Sequence, residues 1–228
     1  DAANRLVRVS FLNPQPEGKA DNITFQYDVA GRRTAIVEKH GSSVLGDKRF
    51  LWDGSLLCEE RNATGQTISK RYFGLGEQVG VNPFYYNRDH LNSVCEMLDS
   101  SGAVQARYDY DLWGRQTKIS GNLESDFGFT GFFKNRPSNL DLTLHRAYDA
   151  EKGRWLNRDP IDEAGGLNLY GYVLNNPGGL TDPLGLEPSN SPRCQKLLAS
   201  IRAKESILAG KYRELANNNQ NLPYRAPG

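Results

Sequence analysis

The first half of the chain alternates large apolar side chains with polar ones, which is the pattern of β-strands buried on one face. The segment FQYDVAGR at residues 25–32 shows it best, because two rings stand at alternate positions and an Asp-x-x-Gly-Arg run follows. The pattern returns as YDYDLWGR at residues 108–115, with weaker copies at 50–54 and 102–108. It predicts successive antiparallel hairpins that stack into one sheet, because a single hairpin cannot bury its own apolar face.

The polar end of each repeat predicts a tight turn. Asp28 and Asp111 are placed to hydrogen-bond to their own downstream backbone, and Gly31 and Gly114 supply the positive φ that such a turn needs. The arginine after each glycine begins the returning strand. Further strand patterns follow this array, and residues 1–145 are predicted to form one β-rich unit.

Two segments depart from the repeat. Residues 146–186 are rich in Gly, Asn and Tyr and form a second unit dominated by turn signals. The third unit, residues 187–228, begins with a polar linker and continues as a helix from 193 to 216. Its apolar stripe consists of Leu197, Leu198, Ile201, Leu208, Tyr212 and Leu215. The predicted fold class is mainly β, followed by a short helical C-terminal segment.

Composition narrows the function. Of the 228 residues 38% are hydrophobic, and the net charge of +1 gives no reason to expect nucleic acid as the main partner. No apolar run reaches the roughly 18 residues of a membrane span. The cysteines, at 58, 95 and 194, do not have the spacing of a disulfide framework or a zinc site, and no metal or cofactor is predicted. The chain starts in mid-pattern, so we expect a fragment or a processed product.

The second unit carries two Asp-Pro pairs, at Asp159 and Asp182. An aspartyl protease needs two carboxyl groups close together, one ionised to activate water and one protonated to act as acid. These two lie twenty-three positions apart, with turn-forming residues between them that let the chain return. Arg158, next to the first, is placed to orient a carboxylate or to stabilise an oxyanion. Asp-Pro pairs also commonly open turns, so the residues alone leave a structural role open.

The repeat resembles the YD repeat of Rhs proteins, the Tc toxin C component and teneurins. Residues 146–186 resemble the end of the Rhs core, with its DPxG…DPLGL signature, and YYNRDHLNSV at 85–94 is similar to another recurrent Rhs segment. In that segment Asn92 stands where the family usually has glycine. The resemblance implies a β-sheet that spirals into a hollow shell around a C-terminal cargo, and this chain would be the last part of that shell.

The resemblance also implies an activity. The matching residues of related proteins form an intramolecular aspartyl protease. This assigns Asp159 and Asp182 as the catalytic dyad and Arg158 as the supporting cation. It places the cleavage between Leu186 and Glu187, at the end of the DPLGL run.

One residue departs from the signature: position 162 is Asp where the family has glycine. A further carboxylate near the dyad would raise the pKa of the first aspartate by repulsion between like charges. A positive φ at this position would also strain a residue with a side chain, although Asp tolerates that conformation better than most.

Two functions follow as hypotheses. The first is the end of a polymorphic toxin shell that cuts itself and frees a C-terminal effector. Its partners would be its own C-terminal toxin segment, the upstream Rhs shell, a secretion machinery such as type VI, and an immunity protein. Such a protein is made in the bacterial cytoplasm and delivered to a competing cell. The second is a non-catalytic structural module, or one that binds carbohydrate or protein. Residues 187–228 are too short and polar for a toxic enzyme of their own.

Overall fold

The turns of the repeat form as the sequence predicts. Asp28 accepts hydrogen bonds from the backbone N–H groups of Ala30 and Arg32, each at 2.9 Å, and Gly31 has a φ of +78°. Asp111 does the same for the two corresponding residues of its own turn, again at 2.9 Å. The short Asp side chain thus satisfies the backbone donors of the turn and fixes where each strand ends.

Eleven strands form one antiparallel sheet in which every strand pairs with its neighbour in sequence. The structure, a computed structural model, describes residues 1–217; in the C-terminal helix the described side chains are those of 192, 194–196, 198–204, 206 and 207. The strands are β1 (Arg8–Ser10), β2 (Asn22–Tyr27), β3 (Arg33–His40), β4 (Ser43–Asp53), β5 (Leu56–Arg61), β6 (Ile68–Phe73), β7 (Gly76–Val79), β8 (Asn82–Arg88), β9 (Val94–Leu98), β10 (Val104–Tyr110) and β11 (Gln116–Gly121).

A second, smaller antiparallel sheet follows in the chain. Its four strands, also paired in sequence order, are β12 (Phe133–Asn135), β13 (Leu140–Leu142), β14 (Ala147–Asp149) and β15 (Arg154–Trp155). Short 3-10 turns at 129–131, 136–138, 162–165 and 173–175 supply much of the regular structure around and after it.

The small sheet packs against the large one. Ile23, Ile36 and Phe50 of the large sheet share a buried cluster with Phe133 and Leu142 of the small sheet. Burying apolar side chains at about 1.5–3 kcal/mol each makes this contact a main source of stability. The contact fixes the position of β13 and β14 and of the hairpin between them.

An aromatic cluster lies behind the last strands. Phe132, Tyr148, Trp155 and Tyr172 are all buried, and the ring centres of Tyr148 and Trp155 lie 5.5 Å apart in an edge-on arrangement. Tyr172 brings the segment after β15 into this cluster. The Gly- and Asn-rich stretch is therefore held against a rigid wall although it has few regular elements of its own.

The helical segment is confirmed as α1 (Pro192–Asn217). Leu198 and Ile201 of the predicted stripe are half-buried. The side chains of Leu197, Leu208, Tyr212 and Leu215, and residues 218–228, lie outside the described part. No helix among the described residues is long and apolar enough to cross a membrane. The predicted fold class, mainly β with a helical C-terminal segment, is confirmed.

Candidate active site

The hairpin between β13 and β14 carries Arg146, whose backbone is fixed by one neighbour. Its N–H donates to Thr143 Oγ1 at 3.0 Å, and the same hydroxyl donates to the Arg146 carbonyl at 3.0 Å. The arginine side chain is 2% exposed, and its guanidinium lies 4.4 Å from the centre of the Trp155 ring. A cation so far from water requires charged or hydrogen-bonding partners.

The two aspartates predicted from the sequence are these partners. Arg146 Nη1 lies 2.8 Å from Asp159 Oδ2, and Nη2 lies 2.9 Å from Asp182 Oδ2. Asp159 is held in the turn after β15: its N–H donates to the Leu169 carbonyl at 3.0 Å, and its Oδ1 accepts the Ile161 N–H at 3.0 Å. Two carboxylates that are remote along the chain thus meet on one guanidinium.

The peptide bond between Leu186 and Glu187 lies at the same cluster. Asp182 Oδ1 accepts the N–H of Leu186 at 2.9 Å and that of Glu187 at 3.2 Å. A Cβ added at Gly165 would stand 2.5 Å from Asp159 Oδ2 and 3.0 Å from the Leu186 carbonyl oxygen. The nitrogen of this bond therefore faces Asp182, and its carbonyl lies beside the Asp159 carboxylate.

Gly185 sets the backbone direction just before the Leu186–Glu187 bond. Its φ is +72°, and a Cβ there would stand 2.3 Å from Thr143 Oγ1, so only glycine fits. Its carbonyl accepts a hydrogen bond from Arg146 Nε at 2.6 Å. The guanidinium thereby contacts both carboxylates and the residue that directly precedes Leu186.

Burial sets the ionisation of the cluster. It raises the pKa of Asp182 to about 6, although the Arg146 charge and backbone N–H groups oppose the shift. Burial also raises the pKa of Asp159, against the Ile161 N–H and the same arginine. With all three groups ionised one negative charge is uncompensated, so a single bound proton neutralises the cluster.

A cavity of about 80 Å³ lies against the cluster. Both aspartates, Arg146, Leu186 and the 165–168 loop contribute to its wall. A buried water needs on the order of 10–15 Å³ and a few polar partners. The cavity therefore has room for the water that a hydrolysis would consume.

The structure places Arg158 outside this cluster. Its guanidinium lies 2.9 Å from Asp162 Oδ1, and both side chains are more than half exposed. Asp162 has a φ of +51°, the left-handed conformation that the glycine of the family signature would adopt without strain, and its N–H donates to the Asp159 carbonyl at 3.2 Å. Asn92, the other departure from a family glycine, likewise has a φ of +75°.

Sequence reasoning missed Arg146, the residue that bridges the two carboxylates. The available signal was its place directly before β14, where Ala147 and Tyr148 are apolar and strand-like. Both are buried, and the arginine enters the interior with them. Arg158 adjoins Asp159 in the sequence, but its side chain is more than half exposed.

The described residues offer no group of three or more His, Cys, Asp or Glu side chains that could hold a metal ion. The three cysteines are free thiols.

Comparison with known proteins identifies relatives of the chain. The family model of the teneurin YD-shell matches residues 19–177. The chain is 32% identical over 176 residues to the probable deoxyribonuclease RhsB of Dickeya dadantii, which covers 71% of this chain and 12% of that protein. It is 26% identical over 221 residues to the double-stranded DNA deaminase toxin A of Burkholderia cenocepacia, covering 83% and 15%. The chain thus spans only 12–15% of the length of these relatives.

Solved structures share the fold. A complex described as TcdB2-TccC3-Cdc42 superposes with a TM-score of 0.64 at 22% identity, over 82% of this chain and 10% of that one. The Tc holotoxin pore of Photorhabdus luminescens gives a TM-score of 0.61 at 21% identity, with the same coverage. With the family model matching well over half of its residues, the chain belongs to the teneurin YD-shell family, among the Rhs and YD-repeat toxins.

Proposed function

We propose that this chain is the C-terminal part of an Rhs-type toxin shell that hydrolyses its own peptide bond between Leu186 and Glu187. The observation that carries the proposal is the placement of that bond. Its N–H donates to Asp182, its carbonyl lies beside Asp159, and one buried arginine contacts both acids. Because the substrate belongs to the same chain, the effective concentration is high and each molecule reacts once.

The proposed reaction needs one ionised and one protonated carboxyl group. Asp159, ionised, accepts a proton from a water molecule in the cavity as the water oxygen bonds to the Leu186 carbonyl carbon. Asp182, protonated, gives its proton to the Glu187 nitrogen as the carbon–nitrogen bond breaks. The products are a carboxyl group on Leu186 and an amine on Glu187. Asp159 ends protonated and Asp182 ionised, so atoms and charge balance.

Arg158 keeps an indirect role in this proposal. Its ion pair with Asp162 holds the turn whose backbone closes onto Asp159. The released segment would begin at Glu187 and lead into an effector carried by the longer protein. Delivery by a secretion machinery to a competing cell, with an immunity protein in the producer, is part of the same proposal. Relatives named as toxins, such as the toxin protein Tse5 of Pseudomonas aeruginosa, support the toxin part of this proposal.

The test is the intact mass of the purified chain and of two variants, Asp159→Asn and Asp182→Asn. Wild type should yield fragments that end at Leu186 and begin at Glu187, and both variants should stay whole. Asp28→Asn is the matched control: this aspartate also accepts two backbone N–H groups and pairs with an arginine, but in a remote hairpin. A wild-type chain that stays uncut under folding conditions would refute the proposal.

A second candidate, a non-catalytic module that binds carbohydrate, has one observation in its favour. A cleft of about 450 Å³ lies between the 113–115 turn, the 150–154 hairpin and the 168–171 segment. Trp113, Tyr170 and Asn168 line it, and rings with amide groups suit a sugar. A glycan array that gives binding lost in Trp113→Ala, with an uncut wild-type chain, would favour this function over self-cleavage.

A further inference from the structure

We infer that Arg146 is the positioning residue of the self-cleavage: its single guanidinium spaces the two carboxylates and holds the scissile segment in register through the Gly185 carbonyl. The inference rests on the proposed function. It assigns to Arg146 the part that the sequence motif gives to Arg158.

Each of the three guanidinium nitrogens contacts a different group: Nη1 contacts Asp159 at 2.8 Å, Nη2 contacts Asp182 at 2.9 Å, and Nε donates to the Gly185 carbonyl at 2.6 Å. The guanidinium is planar and rigid. The Arg146 guanidinium alone therefore sets both the separation of the two carboxylates and the position of the chain before Leu186.

One partner of Arg146, the Gly185 carbonyl, is neutral. A guanidinium buried in this way needs an acceptor for its Nε–H, and the acceptor present belongs to the residue that precedes Leu186. Here the Nε bond ties the segment that carries Leu186 to the same side chain that holds the acids. Holding reacting groups in one geometry is a recognised source of rate.

The Arg146 guanidinium itself cannot move far. Its ring partner Trp155 is fully buried, and Thr143 fixes the arginine backbone on both its N–H and its carbonyl. A displaced guanidinium would leave two buried carboxylates without their cation, which is strongly unfavourable. Arg146 and the three groups that it binds, here called the clamp, are therefore rigid enough to fix the position of the Leu186–Glu187 bond.

The charge of the clamp matters as well. One cation between two carboxylates leaves one negative charge, so the cluster becomes neutral with one proton, the protonation state that the proposed reaction uses. Lysine keeps the charge but offers one nitrogen in place of three. Glutamine removes the charge. The two substitutions thus separate the geometric from the electrostatic contribution.

The experiment follows cleavage of the whole chain during cell-free synthesis, by intact mass over time, at several pH values between about 5 and 8. Arg146→Lys should cut about a hundredfold more slowly than wild type, with little change in the shape of its pH profile. Arg146→Gln should cut more slowly still, and its pH profile should move to higher pH, because loss of the cation raises the pKa of both carboxyl groups. Arg158→Lys is the comparison, and its rate should exceed that of Arg146→Lys by at least about tenfold.

The outcomes are distinct. A wild-type chain that stays whole refutes the proposed function itself. A wild-type chain that cuts, with Arg146→Lys and Arg146→Gln cutting at the same bond, at similar rates and with an unchanged pH profile, overturns the inference. Cleavage that is lost in Arg158→Lys and kept in Arg146→Lys overturns it too.

Misfolding is controlled separately. Thermal melts by circular dichroism accompany every variant, with Arg33→Lys as a matched substitution of another buried arginine. If the Arg146 variants do not fold, Arg146→Ala is synthesised with millimolar guanidinium in the buffer. Restored cleavage between Leu186 and Glu187 supports the clamp, and folding restored without cleavage, or no restoration, overturns it.

Discussion

Self-cleavage is expected to be fastest in mildly acidic solution and to slow steadily above about pH 6. The reason is the carboxyl group of Asp182, which must be protonated to supply the proton for the leaving nitrogen. Burial raises its pKa to about 6, in spite of the Arg146 charge. Asp159 must stay ionised, and its pKa is raised as well, chiefly by burial. The rate should therefore also fall on the acid side, once Asp159 takes up a proton.

The size of the effect follows from the protonated fraction. Each pH unit above the pKa lowers that fraction about tenfold, equivalent to about 1.4 kcal/mol of activation free energy. Between about pH 6.5 and 8.5 the rate constant should thus fall by roughly a hundredfold.

The assay starts from chain recovered uncut in denaturant and diluted into buffers between about pH 4.5 and 9. Samples are quenched at intervals, and intact mass gives the fraction cut between Leu186 and Glu187. Refolding is followed in parallel by tryptophan fluorescence of Asp159→Asn, so that the pH dependence of folding is not mistaken for that of the chemistry. A rate that is constant or increases from pH 6 to 9, while folding is complete, would refute the acid role of Asp182.

Three further predictions test the packing around the site. Gly165→Ala should slow cleavage strongly without unfolding the chain, because its Cβ would crowd the Asp159 carboxylate and the Leu186 carbonyl. Intact mass over time measures this rate. The control is Gly178→Ala, which should cut normally because its Cβ would meet only an exposed leucine side chain at 3.3 Å. Trp155→Ala should lower the free energy of unfolding by about 3–5 kcal/mol in urea titrations, and a loss below about 1 kcal/mol would contradict the packing role of this fully buried ring. Burial, followed by the Asp126 charge, raises the pKa of Glu77 from 4.5 to about 7, so the stability that its protonation contributes is present in acid and lost as the pH rises towards 7. In urea titrations between about pH 5 and 7.5, the free energy of unfolding should therefore decline less in Glu77→Gln than in wild type. Equal declines in the two proteins would contradict this prediction.

Local chemistry explains which parts of the fold could be predicted. The repeat turns follow from an aspartate, a glycine and an arginine within five positions, and Asp28 and Gly31 behave as those residue types require. The helix after residue 192 follows from the spacing of its apolar residues in the same way. Both depend on neighbours in sequence, where propensity and pattern are informative.

The rest of the site depends on contacts between distant segments. Arg146 reaches the two aspartates because the register of β13 and β14 carries it inward, and no spacing rule in the sequence encodes that register. The turn at 173–175 is a further example. Val173, Leu174 and Asn175 all have positive φ, between +41° and +60°, which costs roughly 1–2 kcal/mol per residue. Val173 is buried against the aromatic cluster, and this packing outweighs the local preference.

The same dependence on distant segments explains why such a site would act only in the folded protein. Arg146, Asp159 and Asp182 come from a hairpin of the small sheet, the turn after it and the last loop, and the small sheet is itself placed by its apolar contact with the large one. In an unfolded chain the two acids are apart, solvated and ionised at neutral pH, and neither is near the 186–187 bond. Packing of the apolar faces must offset the cost of removing three charged groups from water, and it is this packing that raises the carboxyl pKa values. Cleavage of the bond would therefore follow closure of the small sheet onto the shell sheet, and a substitution that weakens that contact should delay cutting even though it lies far from the carboxylates.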